Sequence, residues 1–456
     1  MDTKIKLLLV SIAIVCVNAI SYQNYKVYNV VPKTKEDVTI LKKLLDENKY
    51  FFWDYAIKVN YDVKIMVAPE KQDDFEKYAE SVGINAKLVI EDVQSLIDAQ
   101  LKRPSSRTQQ EYNWDYYQTL DEIYDWLDKV AEEHSDVVTI IEIGRTVENR
   151  VIKGIKIDYK KQERPTIGFL KGGLHAREWI TPATITWLIN EFLNSEDTNV
   201  RNLAENVVWH IIPVANPDGY VYSFTSDRMW RKNRNRANFT SCAHLGLNDD
   251  MSNGIDLNRN FGYLWMTTGA SQDPCTQTFA GPVAFSELES ISIANYVLGL
   301  QRQGNLIYYL GFHSYSQLIL VPYSHVGGAD VLAAPNYGDL FEIAIKSAAK
   351  LTERYNTTYR VGTSADILYE VSGSGFDWAK GQANVPIVLL YEVRDLGQYG
   401  FLLPAEQIIP NSEEVLDSLV ELDRVTRQIG YYQYQNSGQI LNLSIFLLIS
   451  TILFVM

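Results

Sequence analysis

Thr166-Ile167-Gly168-Phe169-Leu170-Lys171-Gly172-Gly173-Leu174-His175-Ala176-Arg177-Glu178-Trp179 joins an apolar, β-rich run to two glycines and then to a His-x-x-Glu pair. The run Thr166 to Lys171 is continuous in apolar character rather than alternating. It reads as a strand buried on both faces, inside a sheet covered by helices on either side. Four more runs share that character: Val137 to Ile143, Val207 to Val214, Leu306 to Phe312 and Ile387 to Glu392. Long helical patterns fall at Pro182 to Asn194, Ser286 to Gln303, Tyr337 to Arg354 and Ser412 to Gly430. Strands alternating with helices predict an α/β fold with a mixed sheet sandwiched by helices.

Several of these strands end in polar residues. His175 follows the first, His313 caps another and Glu392 ends a third. Ligands in open α/β sheets gather beyond the carboxyl ends of the strands, so residues distant in sequence can converge there. His175 and Glu178 lie three residues apart, and His313 comes 135 residues after Glu178. Two imidazoles and a carboxylate form a three-ligand zinc set that leaves one coordination position open, which separates a catalytic site from a structural one. The chain has only six His. His-x-x-Glu alone also occurs on many solvated surfaces, so its neighbours decide the matter.

At 456 residues the chain is long for one domain and predicts two folded units with processing segments. Hydrophobic residues at 46% and charged residues at 21% suit a protein that buries a core. The net charge of −14 excludes nucleic acid as a partner, because phosphate binding needs a basic face. Lys4 and Lys6 precede the apolar run Leu7 to Val17 and then Val17-Asn18-Ala19, a secretory signal peptide removed near Ala19 or Ile20. At the other end, Asn436-Ser437-Gly438 precedes an apolar tail, Ile440 to Met456, with no basic cluster after it. That pattern resembles a lipid-anchor signal, with a plain transmembrane tail as the other reading. Either predicts a secreted protein that this tail can attach to the outer cell surface. Cys242 and Cys275 remain once Cys16 leaves with the leader, and an oxidising compartment favours their pairing. Asn238-Phe239-Thr240 and Asn356-Thr357-Thr358 are glycosylation acceptors in a secreted chain.

Between about Tyr25 and Asp98 the pattern is different. Strands are expected at Val27 to Val30, Tyr55 to Val59, Asp62 to Val67 and Ala86 to Ile90, with helices at Val38 to Asp46 and Asp74 to Val82. That order is the split βαβ of ferredoxin-like α+β domains. Leu101-Lys102-Arg103-Pro104-Ser105-Ser106-Arg107-Thr108 follows as a polar linker. It offers a bond to a trypsin-like protease, at Arg107 rather than Arg103, which Pro104 shields.

Five local motifs then identify the family that the chain resembles: His175 to Trp179, Arg228-Met229-Trp230-Arg231-Lys232, Gly254-Ile255-Asp256-Leu257-Asn258-Arg259-Asn260, His313-Ser314-Tyr315-Ser316-Gln317, and Tyr391-Glu392-Val393-Arg394-Asp395. Over Tyr112 to about Gly430 the chain resembles the zinc carboxypeptidases of the A/B type, with a matching pro-segment before it. The resemblance implies an eight-stranded mixed sheet, one Zn2+ per chain, and peptide or protein substrates with a free C-terminus. It implies His175, Glu178 and His313 as zinc ligands, with Asp256 fixing the tautomer of His175. Glu392 is implied as general base and Arg231 as the cation that stabilises the developing oxyanion.

Asn258, Arg259 and Tyr369 match the residues that grip a terminal carboxylate, for which an Arg fork is suited. Arg177 and Tyr315 match positions further out along the substrate. Phe376 stands where B-type enzymes, which remove Lys and Arg, have an Asp. That points to A-type preference for aromatic or aliphatic C-terminal residues, with Ser324 and Ser364 as departures and B-type or mixed specificity as the alternative. A catalytically inactive, carboxypeptidase-like binding protein is disfavoured by the complete residue set. The regulatory carboxypeptidase type, which carries a β-sandwich after the catalytic unit, finds only about twenty-five residues after Gly430. The resemblance also implies a Cys242–Cys275 disulfide, cis bonds before Tyr315 and Asp395, and an insertion around Leu245 to Ser252 beside the groove. The expected organisation is signal peptide 1–19, activation pro-domain 20–107, catalytic domain 108–436 and hydrophobic tail 437–456.

Overall fold

The computed structural model describes residues 19–103, 111–237, 240–242, 249–327 and 333–432. The expected leader, the bond after Arg107, the acceptor Asn238, the first half of the insertion from Leu245, and the tail lie outside the described residues. Among the described residues no helix is long and apolar enough to cross a membrane.

The first unit holds β1 (Lys26–Val30), α1 (Lys35–Asp46), β2 (Phe51–Phe52), β3 (Val63–Val67), α2 (Gln72–Ser81), β4 (Ala86–Ile90) and α3 (Val93–Leu101). Its antiparallel sheet has the order β2-β3-β1-β4. Thr34 and Asp37 form a reciprocal capping box that starts α1. Leu41, Leu44 and Phe75 bury the helices against Tyr28, Val30 and Ile65 of the sheet. Two expectations fail here. Tyr55 to Val59 is not a strand: the edge strand beside β3 is Phe51–Phe52, and the segment after it sends Tyr55 and Lys58 to the second unit. The helix α3 was not expected; Asp92 caps it, and Val93 and Ile97 pack beside Met229 and Phe401 of the second unit.

The second unit runs α4 (Leu120–Glu133), β5 (Val138–Arg145), β6 (Val151–Ile157), β7 (Thr166–Lys171), α5 (Ile180–Asn194), α6 (Thr198–Asn206), β8 (Val208–Ile212) and α7 (Pro217–Thr225). It continues with α8 (Leu288–Gln303), β9 (Asn305–Ser314), β10 (Leu318–Val321), α9 (Tyr337–Tyr355), β11 (Arg360–Thr363), α10 (Ser364–Ile367), α11 (Gly375–Gly381), β12 (Ile387–Val393) and α12 (Ile408–Ile429). The eight-stranded sheet has the order β11-β10-β12-β9-β7-β8-β6-β5. Its centre, β12-β9-β7-β8, is parallel, while β5, β6 and β10 bring antiparallel pairs. This is the mixed sheet expected.

The continuous apolar runs are explained by two cores. Leu170, Leu310, Leu389 and Tyr391 face one layer with α5, α9 and α12. Phe169, Tyr309, Val388 and Leu390 face the other, with α8 and α11. Each fully buried aliphatic side chain contributes roughly 1.5–3 kcal/mol, which keeps the central strands β7, β9 and β12 mostly apolar until they end. Cys242 and Cys275 are bonded to each other. Cis peptide bonds precede Tyr315, Tyr323 and Asp395.

Candidate metal centre and cleft

The site follows from strand register. Strands β7, β9 and β12 are parallel neighbours, with Lys171 level with Gly311 and Glu392 level with His313. Their carboxyl ends therefore deliver the His175 turn, His313 and Glu392 to one edge. After β7 the chain must turn sharply beneath Pro213 and Val214. Gly173 allows this with φ of +57°, and a Cβ there would stand 3.0 Å from the Pro213 carbonyl oxygen. Ala176 N–H then bonds the carbonyl of Arg231 at 3.1 Å, tying the two loops together.

His175 Nδ1 lies 2.7 Å from Glu178 Oε1 and 3.1 Å from His313 Nδ1, and His313 Nδ1 lies 3.0 Å from Glu178 Oε2. All three residues are buried. Among the described residues this is the one His/Cys/Asp/Glu group able to hold a metal ion. Zinc ligands at about 2.0–2.1 Å in tetrahedral geometry stand about 3.3 Å from one another, so the triangle is close to one face of that tetrahedron. His175 Nε2 meets Asp256 Oδ1 at 3.1 Å, which puts the proton on Nε2 and leaves the Nδ1 lone pair facing the other two ligand atoms. The donor set therefore fits zinc.

The electrostatics agree. Burial pushes Glu178 up, but the two imidazoles outweigh it and hold the carboxyl well below its ordinary range. Burial lowers His313 to about 4, keeping it neutral as a metal ligand must be. Burial also raises Asp256, yet Arg231, Arg259 and His175 overcome this and keep it ionised.

Around this triangle lies a cleft of about 400 Å³, lined by Arg177, Arg231, Asn258, Arg259, Tyr315, Tyr369, Phe376 and Glu392 among others. The residues expected to bind substrate or act on it line this cleft, His313 completes the metal triangle with His175 and Glu178, and Asp256 bonds His175 and Arg231. Arg231 Nη1 sits 3.3 Å from His175 Nδ1 while its Nε and Nη2 bond Asp256. Arg259 is fixed by the Gly269 and Asn258 carbonyls at 2.7 and 3.2 Å, and its guanidinium lies 5.8 Å from the Tyr369 ring. Asn258 Oδ1 accepts from Gly375 N–H at 3.1 Å.

Glu392 makes no side-chain hydrogen bond or ion pair among the described residues; Arg394, its neighbour in sequence, pairs with Glu414 instead. Burial, and then the charge of Glu178, push Glu392 well above the ordinary carboxylate range. Leu320, Ser324, Ser364, Leu368, Val371 and Leu390 line the recess around Phe376. Asp377, next in sequence, is buried behind them and accepts from Ser324 N–H at 2.9 Å.

The first unit forms part of the cleft wall, as expected of a pro-domain that covers the cleft, although the sequence did not mark which of its residues do so. Tyr55 lines the cleft, its ring 6.1 Å from that of Tyr369 and 5.8 Å from the Arg231 guanidinium. Lys58 Nζ donates to the carbonyls of Ala365 and Asp366 at 2.7 and 2.8 Å. Arg177 lies between Phe401 and Phe51, at 4.0 and 5.6 Å. Gln100 Oε1 accepts from Arg228 at 2.9 Å, and Tyr22 donates to Asp227 at 2.7 Å. These residues carry no motif of their own, because their role depends on docking against a surface built elsewhere in the chain.

Comparison with known proteins decides the family. The zinc carboxypeptidase family matches residues 123–418, and the carboxypeptidase activation peptide family matches residues 28–100. The chain belongs to the zinc carboxypeptidases. This carboxypeptidase is 39% identical to zinc carboxypeptidase A 1 of Anopheles gambiae over 430 residues, covering 93% of this chain and 95% of that one. It is 44% identical to a zinc carboxypeptidase of Simulium vittatum over 317 residues, 69% of this chain and 98% of the other. Its fold matches the crystal structure of carboxypeptidase A from Helicoverpa armigera with a TM-score of 0.76 and 28% identity, covering 90% of this chain and 99% of that one. The protein is thus a metallocarboxypeptidase made with an activation peptide, which implies peptide substrates and proteolytic activation.

Proposed function

We propose that this zymogen, once cut, removes single C-terminal residues from peptides with one zinc ion held by His175, Glu178 and His313, preferring aromatic or aliphatic side chains. The observation that carries the reading is the register of β9 and β12, with the unpaired Glu392 beside His313 and facing the His175–Glu178 turn. Zinc at that triangle supplies a Lewis acid that polarises the substrate carbonyl and makes water a nucleophile at neutral pH.

The chain's own residues do the rest. Arg259, Asn258 and Tyr369 bind and orient the terminal carboxylate, which restricts cleavage to the last peptide bond. Glu392 takes a proton from the attacking water and returns it to the leaving amine. Its raised pKa suits both transfers. Arg231, held by Asp256, presents its remaining Nη1 to the oxygen on which negative charge develops. Arg177 and Tyr315 contact residues upstream of the scissile bond.

The A-type preference rests on Phe376 in a recess lined by Leu320, Ser324, Ser364, Leu368, Val371 and Leu390, with the adjacent acid Asp377 held behind the wall by Ser324. An unneutralised Lys or Arg side chain is costly there. Relatives named carboxypeptidase A and carboxypeptidase B both match the chain, so their names do not choose between the two. We assign residues 20–107 to the activation domain and 108–436 to the catalytic domain, with export directed by 1–19 and activation by a trypsin-like cut after Arg107. The position of Tyr55 in the cleft supports an inhibitory role for the first unit.

The test is hydrolysis of blocked dipeptides after trypsin treatment. Release of Phe or Leu, abolished by a chelator and restored by zinc, is expected. Faster release of Lys or Arg would overturn the specificity, and activity that survives complete zinc removal would overturn the mechanism.

A further inference from the structure

We propose that Asn356 is an N-glycosylation site whose glycan stands at the rim of the cleft; the proposal rests on the export assigned to residues 1–19. Asn356 caps the C-terminus of α9 in the left-handed region, φ 57° and ψ 28°, its N–H bonded to the Thr352 carbonyl. Asn is among the residues that tolerate this conformation, so the cap by itself accounts for an Asn at this position. It does not account for Thr358. That residue is exposed, and its hydroxyl makes no hydrogen bond among the described residues.

The backbone on either side is fixed. Thr357 Oγ1 accepts from Arg394 at 3.0 Å, the Thr357 carbonyl accepts from Thr352 Oγ1 at 3.0 Å, and the Thr358 carbonyl accepts from Gln317 at 3.0 Å. The Asn356 carboxamide, by contrast, is exposed and free of side-chain hydrogen bonds among the described residues. A bulky polar graft is therefore accommodated without disturbing the fold, in an Asn-x-Thr acceptor sequence.

The location gives the modification a consequence. Thr358, Gln317 and Arg360 line the cleft mouth, and Arg360 also donates to Tyr61 of the first unit at 3.3 Å. A sugar on Asn356 thus stands two residues from the cleft rim, beside the seam between the units. The step is a glycosyl transfer from a lipid-diphosphate-linked oligosaccharide. The Asn356 amide nitrogen bonds to C1 of the first N-acetylglucosamine and the C1–O bond to phosphate breaks. The lipid diphosphate leaves with the bonding electrons, and the amide gives up one proton.

The experiment uses the full chain expressed in a eukaryotic cell and recovered from the medium. Trypsin frees residues 355–360 as one peptide, Tyr-Asn-Thr-Thr-Tyr-Arg, which isolates Asn356 from the other acceptors. Peptide-N-glycosidase digestion in heavy-oxygen water is expected to convert Asn356 to a labelled Asp. Thr358→Ala should abolish the label completely and Thr358→Ser should keep it. An unmodified peptide from exported protein overturns the proposal and leaves the export reading intact. Retention of the chain in the cytosol with residues 1–19 still attached overturns both.

Discussion

Asp256 holds Arg231 through a single oxygen, Oδ2, at 3.1 Å from Nε and 2.7 Å from Nη2, while Oδ1 takes Nε2 of His175 at 3.1 Å. One buried carboxylate therefore orients a metal ligand and a guanidinium together. Removing its charge loosens both. Asp256→Asn is expected to lower zinc affinity about 10–100-fold, the usual effect of losing a partner behind a His ligand. Chelator competition measures it, with circular dichroism to verify that the fold persists. Unchanged affinity in a folded variant would mean that His175 needs no such partner.

Among the described residues Glu392 bonds no cation and meets the charges of Arg231 and Arg259 only through space. Glu392→Gln is expected to retain one zinc per chain and to lower kcat by about 10²–10⁴-fold, the range for general acid–base catalysis. The wild-type acid limb carries a second expectation. Burial raises the pKa of Glu392, and the base must be ionised to act. Activity should accordingly fall as pH drops, starting above the ordinary Glu value of about 4.3. An acid limb below that value, in kcat/KM for a neutral substrate, would contradict the assignment.

Tyr55 reaches into the cleft from the first unit, beside Tyr369 and Arg231. Its hydroxyl is buried without a hydrogen-bond partner among the described residues, so shape rather than hydrogen bonding holds it there. Tyr55→Ala in the uncut chain is expected to raise hydrolysis of a small blocked dipeptide several-fold while trypsin-activated rates stay unchanged. The first unit stays docked through Lys58, Gln100 and Tyr22. An uncut variant as inactive as the wild type would show that Tyr55 merely fills space.

Phe376 offers a direct test of specificity. Phe376→Asp puts a carboxylate into a recess lined by Leu320, Leu368, Val371 and Leu390. Release of C-terminal Lys or Arg should rise at least about tenfold relative to Phe, because a buried cation then finds its counter-charge. If the variant folds, binds zinc and still prefers Phe, the specificity is set elsewhere on the wall.

Much of this was legible in the sequence because burial on both faces leaves long apolar runs, and Thr166 to Lys171 matches β7 residue for residue. Motif residues were legible for a different reason: metal and carboxylate chemistry restricts residue type. What escaped was set by context. Strand β6, Val151–Ile157, carries Lys153, Gly154 and Lys156 inside it, which interrupts its apolar run. Strands β10 and β11 have four residues each and gain their stability from sheet neighbours. Tyr55 to Val59 looks like a strand by composition, yet Tyr55 and Lys58 reach the second unit while Ile57 packs into the core of the first. Helix α3 is short and shows its apolar face, Val93 and Ile97, to that same surface.

Glu289 makes stability depend on pH. It is fully buried at the start of α8; Oε2 accepts from Asn233 at 3.2 Å and Oε1 has no partner among the described residues. Burial first, with help from the neighbouring Glu287, pushes it up to about 8. Asp377 is pushed up to about 7, again by burial. Both carboxyls have folded-state values above those of the unfolded chain, so between about pH 4 and 8 the folded state binds more protons. Their contribution to stability therefore falls as pH rises through that window, the reverse of a salt-bridged carboxylate. Buried His210 and His313 act in the opposite sense, since they are held neutral in the fold, so the test is a difference between two proteins. Glu289→Gln keeps the shape and cannot ionise, so in thermal unfolding at constant ionic strength its Tm relative to wild type should rise from pH 5 to pH 8. A Tm difference that does not change across that range would show that Glu289 is already ionised in the folded protein.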